Sequence, residues 1–213
     1  MKLKGLIFDL DGTLLNTIPV CYGGFRKTLL EFTGREYSDQ EIAAMFGPTE
    51  DGIFKKLFPS VWKESLESYL VEYDRIHPEY AEPFKGVLEA LALLQERRIK
   101  LALVSGKGPG SMKISLKHSG LGGFFEVVKT GSEERASKPE HLKEVLKIWG
   151  YSPEEVAYVG DMAYDVSSAK EVGVYAIGAM WAKTTHPQKI LEMNPDVAFD
   201  NVQSFIEWIK QTL

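Results

Sequence analysis

The stretch FDLDGTLLNT, from Phe8 to Thr17, limits what this chain can fold into more than any other. The apolar run Leu3 to Phe8 stops abruptly at Asp9, as a buried central strand of an α/β sheet stops on leaving the core. Ligands of such sheets bind beyond the carboxyl ends of the strands. The period of two along an extended chain points Asp9 and Asp11 to one side. Two carboxylates so close repel each other, and a shared cation or a proton held on one of them relieves the repulsion. The plainer alternative is a turn at Asp11 and Gly12, since Asp-Gly is a common turn signal.

The next convincing strand is Ile99 to Val104, too distant for a single crossover helix. The interval reads as helices: Pro19 to about Phe32 with Gly34 as its stop, then a short one capped by Ser38 and Glu41. A third is capped by Thr49 and ends before Pro59, and a fourth carries Trp62, Leu66, Tyr69, Leu70 and Tyr73 at helical spacing. The aromatic stripe falls on helical periods and is read as packing.

From Phe84 the pattern alternates helix and strand, which implies a parallel sheet with helices on its faces. Strands are expected at Ile99–Val104, Phe124–Val128, Val156–Val159 and Tyr175–Ile177, with an edge strand at Val197–Phe199. Helices are expected from Gly86 to Arg97, from Pro109 to a stop at Gly120, from Lys138 to a stop at Gly150, after Asp161 to Gly173, and at the C-terminus. The fold class is therefore α/β, a Rossmann-like parallel sheet flanked by helices with an all-α insert. The division expected is residues 1–15 and 84–213 for the α/β core and 16–83 for the helical insert.

Parallel strands put their carboxyl ends on one edge. That edge should gather Asp9 with Asp11, Ser105, Lys138, and Asp161 with Asp165. The glycine-rich turn after Val104 offers the Ser105 hydroxyl and backbone N–H groups at a helix start, which suits an anion. Its glycines fit neither the P-loop nor the dinucleotide spacing. Asp161 alone reads as an N-cap and Asp165 as a favourable charge in a first helical turn. Two aspartates four apart on one helix face repel, so a shared cation is the competing account.

Several function classes are disfavoured. The formal charge of −5 with no basic block gives no footing for a nucleic-acid polymer or a polybasic membrane anchor. The single cysteine, Cys21, excludes an intrachain disulfide framework and suits a reducing compartment, with the cytoplasm as the expected location. Lys2 and Lys4 precede an apolar segment, but Asp9 interrupts it too early for a signal peptide.

Taken together, these residues resemble the haloacid dehalogenase (HAD) superfamily of phosphatases. DLDGT at Asp9 to Thr13 is similar to its first motif, Ser105 after LALV to the second, Lys138 in SKP to the third, and GDMAYD at Gly160 to Asp165 to the fourth. The resemblance covers the whole chain and implies that residues 16–83 are a small helical cap of the phosphoglycolate phosphatase and β-phosphoglucomutase kind. It implies a small phosphorylated metabolite as substrate, Asp9 as nucleophile and Asp11 as general acid and base. It also implies Mg²⁺ held by Asp9, Asp161, Asp165 and the main-chain carbonyl of Asp11. Ser105, Gly106 and Lys138 would hold the phosphoryl group. Gly106 stands where relatives often carry Asn, and Asn16 where many have Asp. The leaving group would be chosen by the loop Gly47, Pro48, Thr49 and Glu50 with Asn16, Thr17 and Lys107.

Asp11 separates a phosphatase from a dehalogenase, which lacks the second aspartate. A phosphomutase is the enzymatic alternative, although Ile18 to Tyr22 lack the cap histidine usual in that branch. A regulator that binds a phosphometabolite without turnover is the alternative outside catalysis. Oligomeric state is not legible in the chain.

Overall fold

The computed structural model describes residues 3–213; Lys2, which entered the reading of the N-terminus, lies outside them. Six strands form one sheet: β1 (Gly5–Phe8), β2 (Lys100–Val104), β3 (Val127–Lys129), β4 (Val156–Gly160), β5 (Tyr175–Ala179) and β6 (Val197–Phe199). Their order is β3-β2-β1-β4-β5-β6 and every pairing is parallel. The chain starts in the middle, builds outward through β2 and β3, and then resumes on the other side of β1 with β4. The order therefore reverses between β1 and β4, where open α/β sheets bind ligands.

Strand residues alternate between two apolar layers. Leu6, Phe8, Leu101, Leu103, Ala157 and Val159 face one of them, with α5 (Val87–Glu96), α6 (Pro109–Ser119) and the C-terminal helix Val202–Thr212 packed on that side. Ile7, Ala102, Val104, Val156 and Tyr158 face the other, under α7 (Lys138–Trp149) and α8 (Ala163–Val172). Burial on both faces explains why these strands read as unbroken apolar runs. The strand expected at Phe124–Val128 is displaced: Leu121–Phe124 is a 3-10 turn and the ladder begins at Val127. Gly120, Gly122 and Gly123 favour the tight turn, and β3 is an edge strand of three residues.

The helical interval comprises α1 (Ile18–Thr33), α2 (Asp39–Ala43), α3 (Glu50–Leu57) and α4 (Trp62–Ile76). These share an apolar cluster of their own, centred on Phe25, Leu29, Phe54, Tyr69 and Tyr73, with Ile114 of α6 packed against it. Ser38 and Glu41 form the expected reciprocal cap, and the Thr49 hydroxyl accepts from Gly52 N–H at 3.4 Å. No helix among the described residues is long and apolar enough to cross a membrane.

His77 follows α4 in a 3-10 turn and is fully buried. Its Nε2 pairs with the Ser115 hydroxyl at 3.0 Å, its ring stacks on His118, and its Nδ1 has no partner. Burial, then His118 and Lys107, lower its pKa to about 4 despite the opposing field of Asp11. The unfolded chain takes up this proton near pH 6.5, whereas the folded one refuses it until about pH 4. Stability from this group is complete above pH 6.5 and is lost as pH falls, by up to about 3 kcal/mol. Urea midpoints at pH 7.5 and 5 should separate more in the wild type than in His77→Gln.

Candidate active site

Phe8, the last residue of β1, pairs with Leu103 on one side and Val159 on the other. Asp9 is thus one residue past the shared row, and Ser105 and Asp161 are two residues past it. This register brings three distant parts of the sequence to one edge. Beyond Asp9 the chain turns tightly, with the Leu10 carbonyl accepting from the N–H groups of Leu14 at 2.9 Å and Leu15 at 3.0 Å. Gly12 has φ +78°, a left-handed conformation suited to glycine, and a Cβ there would fall against the Asp161 carboxylate. The Asp-Gly turn and the convergence of carboxylates coexist: the turn is what brings the two acidic segments together. Trp181 steadies it, its indole N–H donating to the Thr13 carbonyl at 2.9 Å.

Lys138, the first residue of α7, reaches into this edge. Its ammonium donates to Asp9 Oδ2 at 2.7 Å and also to Asp165 Oδ1. Burial opposes its charge, but the carboxylates of Asp165 and Asp9 outweigh burial and hold its pKa well above the ordinary lysine range. Asp9 Oδ1 accepts from Leu10 N–H at 2.7 Å. Of these three aspartates Asp165 is the most heavily partnered, accepting also from the Tyr158 hydroxyl at 3.0 Å and Met162 N–H at 2.9 Å. Among the described residues Asp161 has only the Thr13 and Thr185 hydroxyls as partners, at 3.4 and 3.5 Å. Burial first, then the charges of Asp165 and Asp9, push its pKa well above the usual carboxylate range. Met162, not Asp161, is the N-cap of α8, so the capping account of Asp161 does not hold.

Asp9, Asp161 and Asp165 each bring an oxygen within 4.8 Å of the others, all three buried. Crowded oxygen donors in which one carboxylate lacks strong hydrogen bonds fit a hard divalent cation such as Mg²⁺.

Asp11 accepts from the Thr17 hydroxyl through Oδ1, and its Oδ2 is 3.3 Å from Lys107 Nζ. Lys107 donates to the Tyr73 hydroxyl at 2.9 Å and lies 4.5 Å from that ring's centroid. Ser105 is buried, its hydroxyl accepting from Lys107 N–H at 3.4 Å, while Gly106 is exposed. Asn16 is half-buried in the segment leading to α1. Thr17, Thr49 and Lys107, read from sequence as substrate contacts, all have partners within the protein.

The helix start after Ser105 differs from expectation in one respect. The Gly108 N–H that would serve an anion already donates to the Glu50 carboxylate. Sequence reasoning also passed over Tyr158, whose hydroxyl bridges Asp165 and the Val104 carbonyl. A tyrosine inside an apolar strand gives no local sign of such a partner.

The family model described as haloacid dehalogenase-like hydrolase matches residues 6–179. The chain belongs to that family. It is a hydrolase of the phosphatase type read from its motifs. Pyrophosphatase PpaX of Bacillus cereus (strain AH820) is 30% identical over 209 residues, which is 97% of this chain and 96% of that protein. Among solved structures, a haloacid dehalogenase-like family hydrolase of Streptococcus pneumoniae matches with a TM-score of 0.77 at 20% identity, covering 97% of this chain and 98% of that one. A protein titled a predicted phosphoglycolate phosphatase, from Haemophilus somnus 129pt, matches with a TM-score of 0.76 at 20% identity over 97% and 98% of the two chains. At these identities the structural matches establish the fold alone.

Proposed function

We propose that this HAD-family enzyme is a Mg²⁺-dependent phosphatase that hydrolyses a small phosphomonoester through an aspartyl-phosphate on Asp9. The observation that supports this most is the position of Lys138, bonded to Asp9 and Asp165 beside a third buried carboxylate, Asp161. A carboxylate nucleophile attacking a phosphate dianion needs positive charge on both partners, and Lys138 supplies part of it.

Asp9 attacks phosphorus in line, its carboxylate oxygen forming the new P–O bond as the bond to the leaving oxygen breaks. Asp11 gives its proton to that leaving oxygen, so the alcohol departs neutral. A water then attacks the same phosphorus, Asp11 takes its proton, and the Asp9–phosphorus bond breaks to release phosphate. Thr17 and Lys107 orient Asp11 for both steps. The Ser105 hydroxyl and Gly106 N–H hold phosphoryl oxygens, and Lys138 offsets their charge. Asp9, Asp161, the Asp11 carbonyl and Asp165, directly or through water, would hold Mg²⁺, which would supply further charge neutralisation for the phosphoryl oxygens. Residues 16–83 act as a cap over residues 1–15 and 84–213, limiting water at the site.

Phosphate release from p-nitrophenyl phosphate tests the reading. Release should depend on added Mg²⁺ and fall roughly 10³-fold in excess chelator, the scale of a metal contributing several kcal/mol to the transition state. Wild-type protein with no metal-dependent release would favour a phosphometabolite-binding regulator. Conversion of β-glucose 1-phosphate to glucose 6-phosphate without net release would favour a mutase.

A further inference from the structure

Tyr158 is the middle residue of β4 and is fully buried, in the apolar layer it shares with Ile7, Ala102 and Val104. A hydroxyl in such a layer is costly unless it is hydrogen-bonded. Two acceptors are in reach, the Val104 carbonyl at 3.1 Å and Asp165 Oδ1 at 3.0 Å. A phenol has one hydrogen to give, and an ionised carboxylate makes the stronger bond. The hydrogen therefore goes to Asp165.

Asp165 stands in the first turn of α8, yet its carboxylate lies back over the end of β4, where a Cβ on Gly160 would fall 2.3 Å from Asp165 Cγ. Three donors close on it there. Lys138 and Tyr158 both reach Oδ1, and Met162 N–H reaches Oδ2 at 2.9 Å. A carboxylate has about four lone-pair sites, so one, on Oδ2, is left open. Of the three donors, Lys138 sits at the end of a long side chain and is shared with Asp9 at 2.7 Å, and Met162 belongs to the same helix start as Asp165 itself. Tyr158 is the donor anchored in the sheet, with its ring locked by the layer around it.

We propose that Tyr158 is a positioning residue of the metal site: from the floor of the sheet its hydroxyl fixes the Asp165 carboxylate in register with Asp9 and Asp161. It touches no substrate and acts through Asp165. This rests on the reading that Mg²⁺ is held at the three aspartates, and deepens it. Mg²⁺ demands near-ideal octahedral geometry, whereas Ca²⁺ accepts looser and more numerous oxygens. A carboxylate free to swing would still serve Ca²⁺ and would serve Mg²⁺ poorly. Removing a group that orients a metal's ligands commonly weakens binding by roughly 10–100-fold.

Tyr158→Phe keeps the ring in its layer and buries one polar atom fewer, so the variant folds, and its thermal midpoint in chelator verifies this. The full chain, with no substrate present, is titrated with MgCl₂ and separately with CaCl₂, and the rise of the midpoint with concentration gives each Kd. The variant should bind Mg²⁺ about tenfold more weakly and Ca²⁺ by less than about threefold, so that its preference for Mg²⁺ shrinks. With p-nitrophenyl phosphate, the Mg²⁺ concentration for half-maximal release should rise by about the same tenfold factor, while KM at saturating Mg²⁺ stays unchanged. An unchanged Mg²⁺ Kd in a variant with a lowered chelator midpoint assigns Tyr158 a structural role only and overturns the proposal. Equal weakening of both cations overturns it as well, since a general loosening of the fold would produce that. A wild type whose midpoint does not respond to Mg²⁺ overturns the metal reading instead, and this inference falls with it.

Discussion

Asp9→Asn should leave a folded protein whose phosphate release is reduced by at least about 10³-fold, the scale of removing a nucleophile from a site that acts as a unit. The carboxamide keeps the size of the side chain and an oxygen to accept from Leu10 N–H, the bond made at 2.7 Å in the wild type. What it loses is the lone-pair charge that attacks phosphorus. Lys138 keeps Asp165 as a partner, so the ammonium is not orphaned. Steady-state release from p-nitrophenyl phosphate with Mg²⁺ measures the effect, and thermal unfolding verifies the fold. A variant retaining a tenth of wild-type turnover would remove Asp9 from the role of nucleophile, whatever the metal dependence.

Much of this arrangement is written locally in the chain. Gly34, Gly120, Gly150 and Gly173 each read as a helix stop, and each adopts the left-handed conformation beyond a helix end, with φ of 69°, 70°, 67° and 83°. The carboxyl-end residues Asp9, Ser105 and Asp161 were legible because parallel strands have a single edge for their chemistry, so finding the strands finds the rim. Lys138 was legible only in company, since a lysine at a helix start is ordinarily solvated.

What was not legible depends on pairs far apart in the sequence. Lys107 reads as a candidate substrate contact, and nothing local says that α4 will bring Tyr73 to it while the turn after β1 brings Asp11. Thr49 and Glu50 are neighbours at the start of α3. The first caps its own helix and the second accepts at the start of another, a division set by how the insert packs on α6 and not by residue type. Tyr73 falls on the apolar stripe and is fully buried there, as periodicity requires, but its hydroxyl bonds Lys107 and Ser115. Hydrophobic spacing locates the ring and is silent about the oxygen.

Lys138→Met should both abolish most activity and destabilise the metal-free protein by about 3–5 kcal/mol, the usual result of removing one partner from a buried ion pair. Asp9, Asp161 and Asp165 would then share a buried pocket with no cation. The pH dependence follows in sign from the carboxylates. Burial raises the pKa of Asp165, against the opposing pull of Lys138, and burial with two neighbouring charges raises that of Asp161. Between the ordinary carboxylate range and these raised values the folded protein binds protons that the unfolded chain does not. Their burden on stability is therefore relieved as pH falls and grows as pH rises. Without the Lys138 ammonium that burden is larger, so the variant should lose more stability than the wild type between pH 6 and pH 8. Mg²⁺ should recover part of the loss by standing in for the missing charge, since a cation that binds only the folded state stabilises it. Urea unfolding at both pH values, with chelator and with Mg²⁺, measures all four conditions. Equal midpoints for variant and wild type in chelator would mean that Lys138 does not hold these carboxylates together.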